Sequence, residues 1–177
     1  MTNEEYQAAA RYWEEKDAAG VKLDQDKLKA MAEEYILSNN TCALALATGT
    51  GDYVRCTPIE YSWHGGCFWM FSEGGKKFIG LQKNPHVCLA IYDRYEGFGS
   101  LHGMQVMGLA DLVEPFSDDY NAHAAWKKIS LEALRKLPSP MHLIRVRPTR
   151  IDCLFSDFKE LGCSPRQTLL LGETAMQ

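Results

Sequence analysis

From Thr41 onward the hydrophobic pattern of the chain has a period of two, and any fold must satisfy that constraint. In TCALALATG, Cys42, Leu44 and Leu46 face one way while Ala43, Ala45 and Ala47 face the other. This is the pattern of a strand with one large-residue face and one small-residue face. A Gly-rich turn, GTGD, leads into YVRCTPIEYSW, where Tyr53, Arg55, Thr57, Ile59, Tyr61 and Trp63 share a face. Pro58 has no N–H for a ladder, which predicts an edge position or a bulge there. Gly65-Gly66 between two strand-like runs predicts a hairpin, with CFWMFS as the return strand. HVCLAIYD, LHGMQVMGLADLVE, MHLIRVRP and RIDCLFSD supply the remaining strands. Gly103 and Gly108 mark kinks or a close approach by something bulky.

Helical spacing is confined to a few places. Residues 3–19 are helical but polar on most sides, with Tyr6, Tyr12 and Trp13 available to dock on a body or a partner. After Asp24, Leu28, Met31, Ala32, Tyr35 and Ile36 recur at amphipathic spacing. Ser117 is a good N-cap, and Asp118 and Asp119 suit a first turn. Trp126, Ile129, Ala133 and Leu137 would form that helix's apolar stripe, which Pro138 and Pro140 end. There are no alternating βα units and no G-x-G-x-x-G, which argues against a Rossmann domain. The expected fold is mainly β with peripheral helices: a six- to seven-stranded antiparallel barrel, closed or split, in a single domain, 1–177. Residues 1–37 are its N-terminal helices, 41–158 its barrel with a crossover helix at 117–137, and 159–177 a C-terminal tail.

With 177 residues and a net charge of −4, the chain can bury a real core and has no broad attraction for nucleic acid or an anionic membrane. No apolar run reaches membrane-spanning length. MTNEEYQAAARYWEEKD has no apolar signal-peptide core, so the expected location is cytoplasmic. None of the six cysteines stands in a C-x-x-C pair, and reduced, buried thiols are expected. No histidine pair has metal-ligand spacing. His64 is expected to be exposed in a hairpin turn, His86 to start a strand, and His102 to have a structural role.

FSEGGKKFIGLQKNP, residues 71–85, stands apart. A strand ends in a Gly-Gly elbow, and two lysines follow where a helix begins. A helix start offers free N–H groups and a partial positive charge. Gly74, Gly75, Lys76 and Lys77 therefore make a candidate phosphate cradle.

The order and spacing of these pieces resemble the pyridoxamine 5′-phosphate oxidase-like family, the FMN-binding split barrels. The resemblance covers roughly residues 26–158. It rests on YVRCTPIEYSW, on CFWMFSEGGKKFIGLQKNPHVCLAIYD and on VMGLADLVE. It implies a homodimer with FMN at the subunit interface, its phosphate held by Arg55, Lys76 and Lys77. Where relatives place a Ser before the basic pair this chain has Gly75, and Ser72 is the nearby hydroxyl. The resemblance also puts Cys56, Thr57, Pro58 and Ile59 along the flavin ring, with Met70 and Phe71 against it. Counting back from Gly108, the family's Gln position holds Gly103. Gln105, two residues on and on the same face, is the candidate for the flavin's polar edge.

The implied activity is that of an FMN-dependent oxidoreductase acting on a small molecule through flavin N5. No protein acid or base is identified. True pyridoxamine 5′-phosphate oxidases carry basic substrate-recognising residues in a C-terminal segment. Arg166 is the only cation in CSPRQTLLLGETAMQ, which favours another small aromatic or quinone-like substrate. A non-catalytic FMN-binding or redox-sensing protein would share all of these features, as would a deazaflavin-using relative. A haem-binding or haem-degrading barrel would instead need a ligand such as His86 or His102, and would leave Lys76 and Lys77 without a phosphate.

Overall fold

The computed structural model describes residues 1–47 and 54–172. The GTGD turn, Tyr53 and the last five residues lie outside them. Helices α1 (Asn3–Ala18) and α2 (Gln25–Ser38) come first, then strands β1 (Thr41–Ala47), β2 (Val54–Glu60), β3 (Ser62–His64) and β4 (Cys67–Ser72). Helix α3 (Lys77–Lys83) leads to β5 (His86–Tyr92) and β6 (His102–Val113). Helices α4 (Asp118–Trp126) and α5 (Leu131–Arg135) precede β7 (His142–Phe155) and β8 (Arg166–Leu170). The strands form one antiparallel sheet in the order β2-β1-β5-β6-β7-β4-β3, with β8 also on β7. It curls into a half-barrel, as a split barrel does. Among the described residues, no helix is long and apolar enough to cross a membrane.

Alternation sorts the side chains as the period-two pattern requires. Leu44 and Leu46 of β1, Leu89 of β5, Val106 of β6 and Ile151 of β7 are buried on the inner face. Helix α2 fills that concavity with Leu28, Ala32 and Ile36, each fully buried. The Asp24 side chain caps α2 by accepting from the N–H groups of Asp26 and Lys27. Helices α4 and α5 cover one half of the outer face, where Tyr120, Ala124 and Leu134 pack on Trp69 and Leu143. The other half of the outer face carries small residues, among them Ala43, Ala45 and Ala90, and among the described residues the end of α1 approaches it.

Three expectations need correction. MHLIRVRP and RIDCLFSD are one strand, not two: β7 runs through Pro148. The missing N–H falls opposite Gly108, where the β6–β7 register shifts, so a bulge absorbs it. The crossover is two helices rather than one over 117–137. Lys128 adopts φ 57°, and Ser130 caps a new helix by accepting from Ala133 N. Trp126 and Leu137 are consequently exposed. The tail contains an eighth strand, because Gln167 and Leu169 turn inward in RQTLL while its backbone pairs with Arg150–Leu154. Within YVRCTPIEYSW the chain changes partner, from β1 along β2 to β4 along β3, while the turn, edge and cap expectations hold. Gly65 and Gly66 form the β3–β4 turn at φ 59° and 70°, β2 with Pro58 is an edge strand, and Ser117 caps α4. All six cysteines are free, but only Cys42 and Cys153 are buried, and Cys56 is exposed.

Gly108 is where the bulge brings two backbones closest. A Cβ there would stand 2.5 Å from the Arg147 carbonyl oxygen. Gly108→Ala is therefore expected to destabilise the fold by about 1–3 kcal/mol, read as a lowered midpoint in urea unfolding with an unchanged slope. An unaltered midpoint would mean that the bulge relaxes freely.

Candidate functional site

Strand β2 presents Arg55, Thr57 and Ile59 to the inside and Cys56 and Pro58 to the outside, because its partners Leu46, Leu44 and Cys42 on β1 are the buried ones. Two inward polar atoms are buried without a hydrogen-bond partner among the described residues: Arg55 Nε and Thr57 Oγ1. Leaving a buried donor unpaired costs about 1–3 kcal/mol, more where the group is charged. A pair of such donors on one strand face suits the acceptor atoms of an anion.

The β4–α3 elbow supplies the rest. Gly74 and Gly75 stand at φ 142° and 104°, where a side chain would be strained. They deliver Lys77 into the protein, where it is only 7% exposed. Its ammonium donates to the Gly74 carbonyl at 2.7 Å and lies 5.2 Å from the centre of the Phe78 ring. Burial lowers its pKa, and the neighbouring Arg55 charge lowers it further. Two cations thus converge on one enclosed place. Lys76 stays in water at the elbow, and the Ser72 hydroxyl sits 3.5 Å from Gly74 N.

The remaining candidates are dispersed. Met70 is fully buried in the main core. Phe71 packs edge-on against Tyr120, with ring centres 5.4 Å apart. Gln105 pairs in register with Ala90 and Asp152 and points to the outer face, opposite Arg55 and Thr57. The structure therefore brings Arg55, Thr57 and Lys77 together, keeps Gly75, Lys76 and Ser72 at the rim, and puts Cys56, Pro58 and Gln105 on the other side of the sheet. The histidines considered as haem ligands are placed too. His86 is exposed, while His102 is 3.1 Å from Asp157 and stacks on Tyr35.

One cluster carries no sequence signal. His64 is half-buried, not exposed in a turn. Its Nε2 is 2.9 Å from Nδ1 of His123, and the two rings stack with Trp69 and Trp126. His123 is 1% exposed and its Nε2 has no partner. Burial lowers the pKa of His64. Burial, then His64, then Lys127 bring His123 to about 4. Lys127 itself pairs with Glu60 at 2.7 Å, and the Arg145 guanidinium lies over Trp69. No periodicity links residue 64 to residue 123, so only the packing of α4 on the hairpin reveals the pair. Both imidazoles are neutral in the fold, whereas unfolded histidine titrates near pH 6.5. Their stabilisation is complete above that pH and is lost as pH falls from about 6.5 towards 4. The melting temperature of the wild type should drop more over this window than that of His123→Phe, and parallel declines would refute the assignment.

Comparison with known proteins follows the geometry. The family model of pyridoxamine 5′-phosphate oxidase matches residues 28–154. No curated protein matches. Among solved structures, a FAD-binding protein from Mesorhizobium loti superposes with a TM-score of 0.56 at 18% identity, over 70% of this chain and 89% of that one. HutZ, the haem storage protein from Vibrio cholerae, gives 0.57 at 16% identity over 68% and 89%. A conserved hypothetical protein from Mycobacterium tuberculosis gives 0.60 at 17% identity over 88% and 97%. At such identities these structures establish the fold.

Proposed function

The chain belongs to the pyridoxamine 5′-phosphate oxidase family, and on that premise we propose that it is an FMN-binding oxidoreductase acting on a small molecule. One observation carries the reading: Arg55 Nε and Thr57 Oγ1 are buried without partners beside Lys77. A phosphate dianion matches that donor set. It offers acceptors to a guanidinium and a hydroxyl, and it compensates two crowded positive charges. Arg55 would hold the phosphate through its planar fork, Thr57 would donate its hydroxyl, and Lys77 would supply a fixed charge. Lys76 would add a mobile charge at the rim, with Ser72 and the Gly75 backbone beside it.

Once bound, FMN supplies the redox chemistry at ring atom N5, exchanging a hydride or single electrons with the substrate. The protein's part is to bind, orient and shelter the ring. The β2 backbone from Cys56 to Ile59, and the end of β4 at Met70 and Phe71, are its nearest continuations from the cradle. Gln105 cannot reach a flavin anchored at Arg55 of its own chain, because it lies across the sheet. A homodimer resolves this, with the outer face of the second copy, Gln105 included, on the substrate side of the shared site. The bare outer face of small side chains and the exposed Tyr6, Tyr12 and Trp13 of α1 support such an assembly.

Haem binding is the reading that HutZ would suggest. The paired cations favour a phosphate, and the contacts of His102 with Asp157 and Tyr35 compete with any axial role.

The absorption spectrum of the purified chain with added FMN tests the proposal. Two flavin bands that co-elute with the protein are expected. Arg55→Ala and Lys77→Ala should each weaken FMN binding about 10- to 100-fold, the loss of one charge-assisted contact. Lys76→Ala should cost less than about fivefold, as a solvated charge does. A folded wild type that takes up no FMN, or one that yields a sharp haem band, overturns the reading. Turnover with a reduced nicotinamide separates an enzyme from a flavin store, and light scattering that finds only FMN-loaded monomer removes the shared site.

A further inference from the structure

The segments on either side of the family match, residues 1–27 and 155–172, are fastened to each other. Gln167 of β8 is 2% exposed. Its side-chain oxygen accepts from Leu23 N at 3.0 Å, and its amide nitrogen donates to the carbonyls of Val21 at 3.0 Å and Ser164 at 2.7 Å. Ser164 N donates to Val21 O at 2.9 Å. Gly20 packs so closely that a Cβ there would stand 2.3 Å from Ser164 Oγ. The link between α1 and α2 is therefore fixed to β8, although α1 itself buries no residue.

This clamp holds the end of α1 over the bare outer face and encloses a groove of about 680 Å³, within the roughly 300–1,000 Å³ of small-molecule sites. Ala18 and Lys22 form one wall and Leu170 the opposite rim. Ala90, Gly103 and Gln105 are the floor. Small residues on a sheet face leave a flat floor, on which a planar ring can lie. The charges around it balance in number, Glu14, Asp17 and Asp152 against Lys22, Arg150 and Arg166. Arg150 Nε is held by both carboxylate oxygens of Asp152, at 3.0 and 2.9 Å, and the Thr168 hydroxyl also donates to Asp152. Lys22 donates to the Asp17 carbonyl, and Arg166 stands 3.9 Å from the Asp17 carboxylate. What stays open to a ligand is the Gln105 amide, whose side chain makes no hydrogen bond among the described residues and stands between Ala90 and the already paired Asp152.

We infer that this groove is the substrate subsite, and that it takes a flat, uncharged, quinone-like aromatic whose oxygen edge meets Gln105. The ligand class follows from the flat floor, the internally neutralised charges and the single free amide. The word substrate rests on the flavin reading above.

The test uses the purified full chain, with and without FMN, and 2-methyl-1,4-naphthoquinone as the probe in equilibrium dialysis. The wild type should bind it. Ala18→Trp and Leu170→Trp fill the groove from two separate elements at exposed positions, and each should weaken binding at least tenfold while FMN uptake stays within twofold. Gln105→Ala should weaken it about three- to tenfold, as the loss of one neutral hydrogen bond does. Equal affinity in the wild type and both tryptophan variants overturns the inference even where FMN binds well. So does a wild type that leaves the probe free, or tryptophan variants that change only the association state, since the groove would then be a contact between copies. Groove-dependent probe binding by a chain that takes up no FMN would support the ligand class and sink the flavin reading.

Discussion

The β6–β7 ladder is the interaction on which the rest of the molecule depends. β7 is 14 residues long and has different partners on its far side: β4 along His142–Val146 and β8 along Arg150–Leu154. Between those two stretches stand Pro148 and the Gly108 bulge. A bulge increases local twist and bends its strand, which turns a flat eight-stranded ladder into a half-barrel. The same bend separates the outer face into two regions. Helices α4 and α5 cover one, and the other stays bare apart from the end of α1. Both the inward cradle and the outward groove exist because the sheet curls at this point.

Electrostatics then distinguishes the two faces. The chain as a whole is acidic, with a net charge of −4, yet Arg55 and Lys77 share an enclosed corner, where burial and then the Arg55 charge disfavour the charged form of Lys77. Proteins seldom keep two like charges in a poorly solvated place without a counter-ion, since each loses hydration and gains repulsion. The outer groove shows the opposite arrangement. Arg150 with Asp152, and Arg166 with Asp17, match their charges within the protein. On the proposed reading, one face suits an anion and the other a molecule without net charge.

Much of this was legible in the sequence because side-chain alternation is a backbone property. TCALALA fixed which face of β1 is buried, Gly65-Gly66 fixed the hairpin, and Pro58 marked the edge. Lys76 and Lys77 were read from their place after the elbow, and Arg55 from the family resemblance, but Lys77 differs from Lys76 for a reason no spacing reveals. The two elbow glycines turn one lysine inward and leave its neighbour in water. Met70 and Phe71 were named as ring neighbours, yet the core and α4 already occupy their side chains. The illegible parts were those that depend on long-range packing. The break at Lys128 redirected the crossover stripe. His123 met His64 only through the docking of α4, and the inward turn of Gln167 became visible only with β8 in place.

The family match spans 28–154, and the parts of the molecule divide along that boundary. Every group of the cradle lies within it, on β2, the elbow and α3. The walls of the groove lie largely outside it, on α1, its link and β8, held together by one buried glutamine. A fold that reuses a phosphate-anchoring core gains different chemistry by changing what surrounds the far end of the cofactor. In this chain the variable part does not reach the cradle at all. It is stapled across the opposite face, where Gln105 waits on a flat floor, and a second copy of the chain is what would bring the two faces onto one flavin.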